Sequence, residues 1–253
     1  MSFSEKELLP EVHHIKDAMG VCFTLLTGTK RALLVDAGYG LEDVSAMARG
    51  LTDRPVTLAL THGHHDHALG AMWFDEFWLN AEDREVFARY TSRERRKVVL
   101  DSADSKGLKA VKKDYLDATM PVFRDIQAEP VTLGEMTVYA IHVAGHTPGS
   151  TVFYVPERRL LLSGDDWNPC TWLFFPEALD VWTYKENMEA LLMLPFDYVL
   201  CPHRDILFER SAMEVFVHGI TAETISAAKP VDLGKDGDRH EGSVPSREPG
   251  AGI

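Results

Sequence analysis

The sequence predicts an α/β fold, and two observations carry that reading. Apolar runs are short, rich in β-branched residues and bounded by Gly, Asp or Pro, whereas the stretches between them space their apolar residues helically. Strands are expected in order at Val21–Leu26, Ala32–Asp36, Val56–Thr61, Thr137–Val143, Thr151–Val155, Leu160–Ser163 and Tyr198–Cys201. Each is four to seven residues long and dominated by Val, Ile, Leu, Phe, Tyr or Thr, which suit a pleated, buried surface. Helices are expected at Leu41–Leu51, Ala68–Trp73, Ala81–Tyr90, a basic stretch over Arg93–Asp117, Lys185–Leu194 and Asp205–Ala228. Two segments echo one another: Arg31 to Gly38 and Arg159 to Asp166 both run from a basic residue through an apolar strand to an Asp. A two-half architecture would produce such an echo.

With 253 residues the chain is long enough to bury a stable core without staples. Residues 1–229 are expected to form a single domain, and the Gly, Pro, Asp and Ser-rich stretch 230–253 an extended tail. The balance of 26 basic against 39 acidic side chains, a formal charge of −13, repels a phosphate backbone and excludes nucleic acid as an expected partner. Hydrophobic residues at 45% and charged residues at 26% fit a soluble globular protein. Cys22, Cys170 and Cys201 form no CxxC pair, which points to a reducing compartment. The first residues lack the basic and apolar regions of a secretory signal, and no stretch is apolar enough to span a membrane. A cytoplasmic protein without membrane partners is therefore expected; a homo-oligomer is compatible with all of this. Residues 84–113 hold ten basic and four acidic side chains, a local +6 that reads first as a solvated helical face and second as an anion-attracting rim.

Eleven histidines are present, and four fall between His62 and His67. Composition alone gives such a window a chance of about 5 × 10⁻⁵. The run Thr61-His-Gly-His-His-Asp-His67 follows the strand Val56–Leu60, so it lies where α/β proteins place ligands. Imidazole nitrogens and a carboxylate crowded together point to a divalent metal. One loop cannot fill two coordination spheres. His146, Asp165 and His203 each follow an apolar strand and are the candidate partners.

These motifs resemble the metallo-β-lactamase-fold superfamily of hydrolases. His62, His64, Asp66 and His67 match its His-x-His-x-Asp-His pattern, Gly145-His146-Thr147-Pro148-Gly149 a later motif, Gly164-Asp165 a third and His203 the last, all in the family's order over about residues 12–205. The resemblance implies an αββα sandwich, two mixed β-sheets flanked by helices, with a dinuclear site between them. Carried over by position, His62, His64 and His146 hold one metal, Asp66, His67 and His203 the other, and Asp165 bridges them. Asp36 matches a family position that braces the loop. Ala144 stands where many relatives have Pro, and Cys201-Pro202 where a Gly is common, so loop geometry there departs from the family's.

The implied chemistry is hydrolysis of an ester, lactone or thioester of a small substrate by a hydroxide bridging two divalent ions, with Zn²⁺ the first expectation and Fe or Mn also compatible. Asp66, Asp165 and Tyr184 are the expected catalytic residues, Asp66 for proton movement and Tyr184 as an oxyanion donor. Six aromatics between Trp167 and Tyr184 read as core or as an aromatic wall favouring an apolar acyl or aryl group. His65 is expected to point away from the metals or to orient a neighbouring residue, His142 to lie in the core, and Asp166 to orient a ligand or cap a turn. The alternatives are a mononuclear iron persulfide dioxygenase, a phosphodiesterase or β-lactam hydrolase, and a non-catalytic metal-binding module. Within the resemblance, Asp165 at the bridging position, which true β-lactamases usually lack, and the expected absence of an export signal set β-lactam hydrolysis behind the lactonase-like and glyoxalase II-like reactions.

Overall fold

In the computed structural model, residues 3–227 are described. The first half builds β1 (Ser4–Leu9), β2 (Val12–Lys16), β3 (Cys22–Thr27), β4 (Ala32–Val35), α1 (Val44–Leu51), β5 (Val56–Ala59), α2 (His65–Ala68), β6 (Glu76–Leu79), α3 (Arg84–Tyr90), α4 (Arg93–Ser105) and β7 (Val122–Asp125). Its strands form a seven-stranded sheet in sequence order, antiparallel up to β4 and parallel from β4 to β7. The second half builds β8 (Val131–Thr132), β9 (Thr137–His142), β10 (Thr151–Val155), β11 (Leu160–Leu162), α5 (Val181–Leu191), β12 (Tyr198–Leu200), β13 (Phe208–Glu209), α6 (Arg210–His218) and α7 (Ala222–Ala227). These strands make a six-stranded sheet ordered β13-β12-β11-β10-β9-β8.

Period-two alternation explains the layering. Along β4, Ala32 and Leu34 enter the core shared with α1 and α3, while Leu33 and Val35 enter the core between the sheets. Along β10 and β11, Phe153, Val155, Leu160 and Leu162 face that same middle layer, and Val152, Tyr154 and Leu161 face α5 and α6. Strands buried on both faces read as continuous apolar runs, which is why these were legible. The result is the expected order of helix, sheet, sheet and helix. The echo between residues 31–38 and 159–166 has a counterpart here: β4 and β11 each pair antiparallel with the preceding strand and parallel with the following one.

Several elements differ from expectation. The helix expected over Arg93–Asp117 stops at Ser105, where Gly107 turns the chain at φ 73°. The expected Asp205–Ala228 helix is divided into β13, α6 and α7, because Phe208–Glu209 pair with β12 and Gly219 ends α6. The α5 helix begins at Val181 rather than Lys185, since the Asp180 carboxylate caps Trp182 and Thr183 amides. His142 is exposed, not in the core, and its Nε2 donates to the Pro148 carbonyl at 2.7 Å. The expected tail 230–253, and with it the domain limit at 229, lies outside the described residues.

Candidate metal centre

Four strands deliver the histidines and acids from their carboxyl ends. β4 leads to Asp36, β5 to Thr61–His67, β11 to Asp165 and β12 to His203, while His146 comes from the turn between β9 and β10. The two sheets are tied at this end by the Thr151 amide donating to the Thr61 carbonyl at 2.8 Å and by the Cys22 amide donating to the Pro202 carbonyl at 2.7 Å. Gly164 is required here: its φ is 52°, and a Cβ would lie 2.7 Å from that of Thr61.

The candidate ligands fall into two groups whose potential donor atoms lie within 4.8 Å of one another: His62, His64 and His146; and Asp66, His67, Asp165 and His203. Asp165 Oδ2 lies 3.6 Å from His67 Nε2 and also 3.6 Å from His146 Nε2, so its carboxylate reaches both groups. His203 Nε2 is 2.9 Å from Asp165 Oδ1.

The outer nitrogen of each ring fixes which inner nitrogen carries a lone pair. His67 Nδ1 donates to Asp36 Oδ2 at 2.9 Å, His146 Nδ1 to the Trp172 carbonyl at 2.7 Å, and His64 Nε2 to Glu177 Oε1 at 2.8 Å. The Thr61 hydroxyl donates to Asp36 and lies 3.0 Å from His62 Nδ1, which it accepts from. In the neutral rings, His64 Nδ1 and His146 Nε2 therefore face each other as lone pairs across 2.9 Å, and His62 Nε2 and His67 Nε2 are buried with no hydrogen-bond partner. Such an arrangement is unfavourable unless a cation occupies the convergence point, so the donor set fits divalent metal ions.

Electrostatics divide the two groups. Burial pushes His62 well below the ordinary imidazole range and His64 down to about 4, keeping both neutral. Burial opposes charge on His67 too, but Asp66, Asp36 and Asp165 outweigh it and raise His67 well above the ordinary value. Burial likewise opposes ionisation of Asp165, yet His203 and His67 hold it well below the usual carboxylate range. The second group is thus the charged one, and it is also the more open, with the His203 side chain 33% exposed against 4% for His64.

The pattern of the Metallo-beta-lactamase superfamily matches residues 19–203. The chain belongs to that superfamily. It is 27% identical over 189 residues to a bovine (Bos taurus) acyl-coenzyme A thioesterase MBLAC2, a match covering 67% of this chain and 66% of that protein. It is 26% identical over 151 residues to the hydroxyacylglutathione hydrolase GloC of Haemophilus influenzae, covering 57% and 65% respectively. The chain thus spans about two thirds of the length of the curated relatives it matches. A metallo-beta-lactamase structure from Erythrobacter litoralis superposes with TM-score 0.61 at 17% identity, covering 86% of this chain and 95% of that one. The structural likeness shows the metallo-beta-lactamase fold, in agreement with the family match.

Within this superfamily member, two bracing acids escaped the sequence reading. Asp83 is fully buried and accepts from the Gly63 amide at 2.7 Å, the Gly149 amide at 2.7 Å and the Thr147 hydroxyl at 3.0 Å, stitching the His62–His67 loop to the His146 loop. Glu177 accepts from His64 and, at 2.9 Å, from Arg89. Burial opposes its ionisation, but hydrogen bonds from His64 and Tyr90 bring it down to about 2. No local motif marks either acid, because their partners lie far away in sequence. Asp166 also proves to be a brace, accepting from the His146 amide at 3.1 Å.

Tyr184 requires a correction. It lies on the buried face of α5, fully enclosed in the core, and its hydroxyl donates to the Asp166 carbonyl at 2.5 Å, so no hydroxyl is left for an oxyanion. Trp167 is likewise core, edge-on to Phe208. The aromatic wall is built instead by Phe175, 4.8 Å from His64 and 5.4 Å from His146, with Trp172 and Phe174 beside it. His65 belongs to neither ligand group; it stacks on Tyr90 and meets Tyr39 edge-on.

Proposed function

We propose that the protein is a metal-dependent thioesterase with a two-ion centre, acting on a small substrate whose acyl group is apolar or aromatic. The observation that carries this reading is the presence of two complete ligand groups with Asp165 reaching both. A thioester is favoured over an ester or lactone because the relatives named acyl-coenzyme A thioesterase and hydroxyacylglutathione hydrolase both cleave thioesters.

His62, His64 and His146 would hold one ion, Asp66, His67 and His203 the other, with Asp165 between them. When bound, two divalent ions acidify a water toward neutrality and polarise the substrate carbonyl. The chain's own residues supply the rest. Glu177, Asp36 and the Trp172 carbonyl fix the ligand tautomers. Phe175 and Trp172 exclude water beside the acyl group. Asp66, next to the open His203 side, accepts the proton released as water adds to the carbonyl. The carbon–sulfur bond then breaks, giving a carboxylic acid and a thiol.

Asp165→Ala is expected to abolish thioester turnover and to lower bound metal from two ions to one or none per chain, read by elemental analysis alongside kinetics. Full activity with unchanged metal content would sink the assignment. The complete second group favours two ions over the single iron of a persulfide dioxygenase; one bound iron together with oxygen uptake on a persulfide would reverse that preference.

A further inference from the structure

The apolar layer between the two sheets encloses Leu26, Val35 and Leu162 completely, but its outer edge is not filled. There, where β7 ends one sheet and β8 the other, a cavity of about 340 Å³ remains. Leu33 and Trp78 line it from the first sheet, Val138, Ala140 and Phe153 from the second, and Ile126 from the connection between them. None of the candidate metal ligands borders it.

Protein interiors pack as densely as organic crystals, so a void this much larger than a water molecule is unusual. Its cause is local. β8 contributes only Val131 and Thr132 where β7 contributes four residues, and Ala140, the next inward position after Val138, carries a single methyl group. Apolar walls offer water few hydrogen-bond partners, and a dry cavity of about 150 Å³ already holds benzene, so this one has room for two to three rings. A volume above about 300 Å³ with apolar walls and a few polar groups is that of a small-molecule site.

The mouth sets the charge of the occupant. Arg124 is the only cation among the lining residues, and its Nε donates to Glu76 Oε2 at 2.8 Å. Asp125 and Glu129 line the same mouth, both exposed. One paired cation among the carboxylates of Glu76, Asp125 and Glu129 disfavours an anionic ligand.

We propose that this edge of the sandwich is a second ligand site, separate from the candidate metal centre, which takes a neutral apolar molecule of two to three rings. The occupant touches both sheets, through Trp78 on one and Phe153 on the other. Because it binds the packed sheets and not the unfolded chain, it also stabilises the fold.

Fluorescence titration of the full chain with N-phenyl-1-naphthylamine tests this, beside 8-anilino-1-naphthalenesulfonate, which has the same rings and adds a sulfonate. The wild type is expected to bind one neutral probe per chain, saturably, about tenfold more tightly than the sulfonate, with a rise in melting temperature. Ala140→Phe, which places a ring in the cavity, should weaken the neutral probe about tenfold at unchanged metal content, and the smaller Ala140→Val should weaken it less. Phe175→Ala, which opens the aromatic wall beside His64 and His146, should leave the neutral probe's affinity unchanged. In the wild-type chain itself, the methyl NMR signals of Leu33, Val138 and Ala140 should shift as the neutral probe is added. Equal or tighter binding of the sulfonate, binding that never saturates, loss of the probe in Phe175→Ala but not in Ala140→Phe, or methyl signals that stay in place overturns the proposal.

Discussion

At the scale of single residues, the candidate centre rests as much on side chains outside the two ligand groups as on those within them. Glu177 holds His64 Nε2 as a donor, and without it the ring is free to rotate or change tautomer. Glu177→Ala is therefore expected to weaken metal retention by about 10- to 100-fold, the usual cost of losing such a brace, measured by competition with a chelator. Unchanged retention would mean that the ring is held by packing against Phe175 and Tyr90 alone. Tyr184 makes the opposite case. Its hydroxyl serves the Asp166 carbonyl, so Tyr184→Phe is expected to cost about 1–2 kcal/mol of stability in thermal unfolding while kcat stays close to that of the wild type. A large fall in kcat at unchanged stability would restore the oxyanion role.

Elements, rather than residues, decide how much of the basic stretch is available to a ligand. The α4 helix starts at the Ser92 cap, whose hydroxyl accepts from the Arg95 amide at 3.2 Å, and its Val99 and Ala103 enter a small core with Leu69, Met72 and Tyr115. Arg96 lies on the buried side of the same helix and ties the segment 115–118 to it through backbone carbonyls. Arg96→Met would keep the apolar stem and strand those carbonyls, at an expected cost of about 2–4 kcal/mol in denaturant unfolding. A cost below half a kcal/mol would show that water takes over their hydrogen bonds. A local count of +6 thus hides two kinds of cation, and only helical phase separates Arg96 in the interior from Arg95 at the rim.

Across the whole molecule, the two sheets meet at the site, and their junction carries a pH dependence of its own. His14 on β2 is buried between them; its Nε2 donates to the Arg204 carbonyl at 3.1 Å and its Nδ1 lies 3.0 Å from the Thr24 hydroxyl. In the neutral ring Nδ1 accepts from the Thr24 hydroxyl, and burial lowers the pKa of His14 from 6.5, outweighing the Arg204 carbonyl and Asp205, which favour the charged ring. Because the unfolded chain takes up the proton first, this contribution to stability is fully present above about pH 6.5. It is lost as pH falls from there toward the lower folded value. The gap in melting temperature between wild type and His14→Gln is expected to narrow as pH falls from 7.5 to 5; a gap independent of pH would mean that His14 acts by packing alone.

The sequence by itself determined the fold class and pointed to the residues that the fold gathers into two candidate ligand groups. Strands buried on both faces are continuously apolar, and His and Asp clustered at strand ends stand out from such runs, so β4, β5, β10, β11 and the motifs at His62–His67, His146, Asp165 and His203 were all legible as local patterns. The edge strands β1 and β13 were not, because an exposed or two-residue strand has no apolar run to announce it. Beyond Asp36, which the resemblance marked, tertiary structure decided the bracing of the site. Asp83, Glu177 and Asp166 act on partners in other loops, and of the aromatics between Trp167 and Tyr184 the structure sends Tyr184 to the core and Phe175 to the ligand groups. The physical reason is one of range: hydrophobic periodicity and ligand type are written into adjacent residues, whereas a hydrogen bond between distant loops exists only once the two sheets have packed.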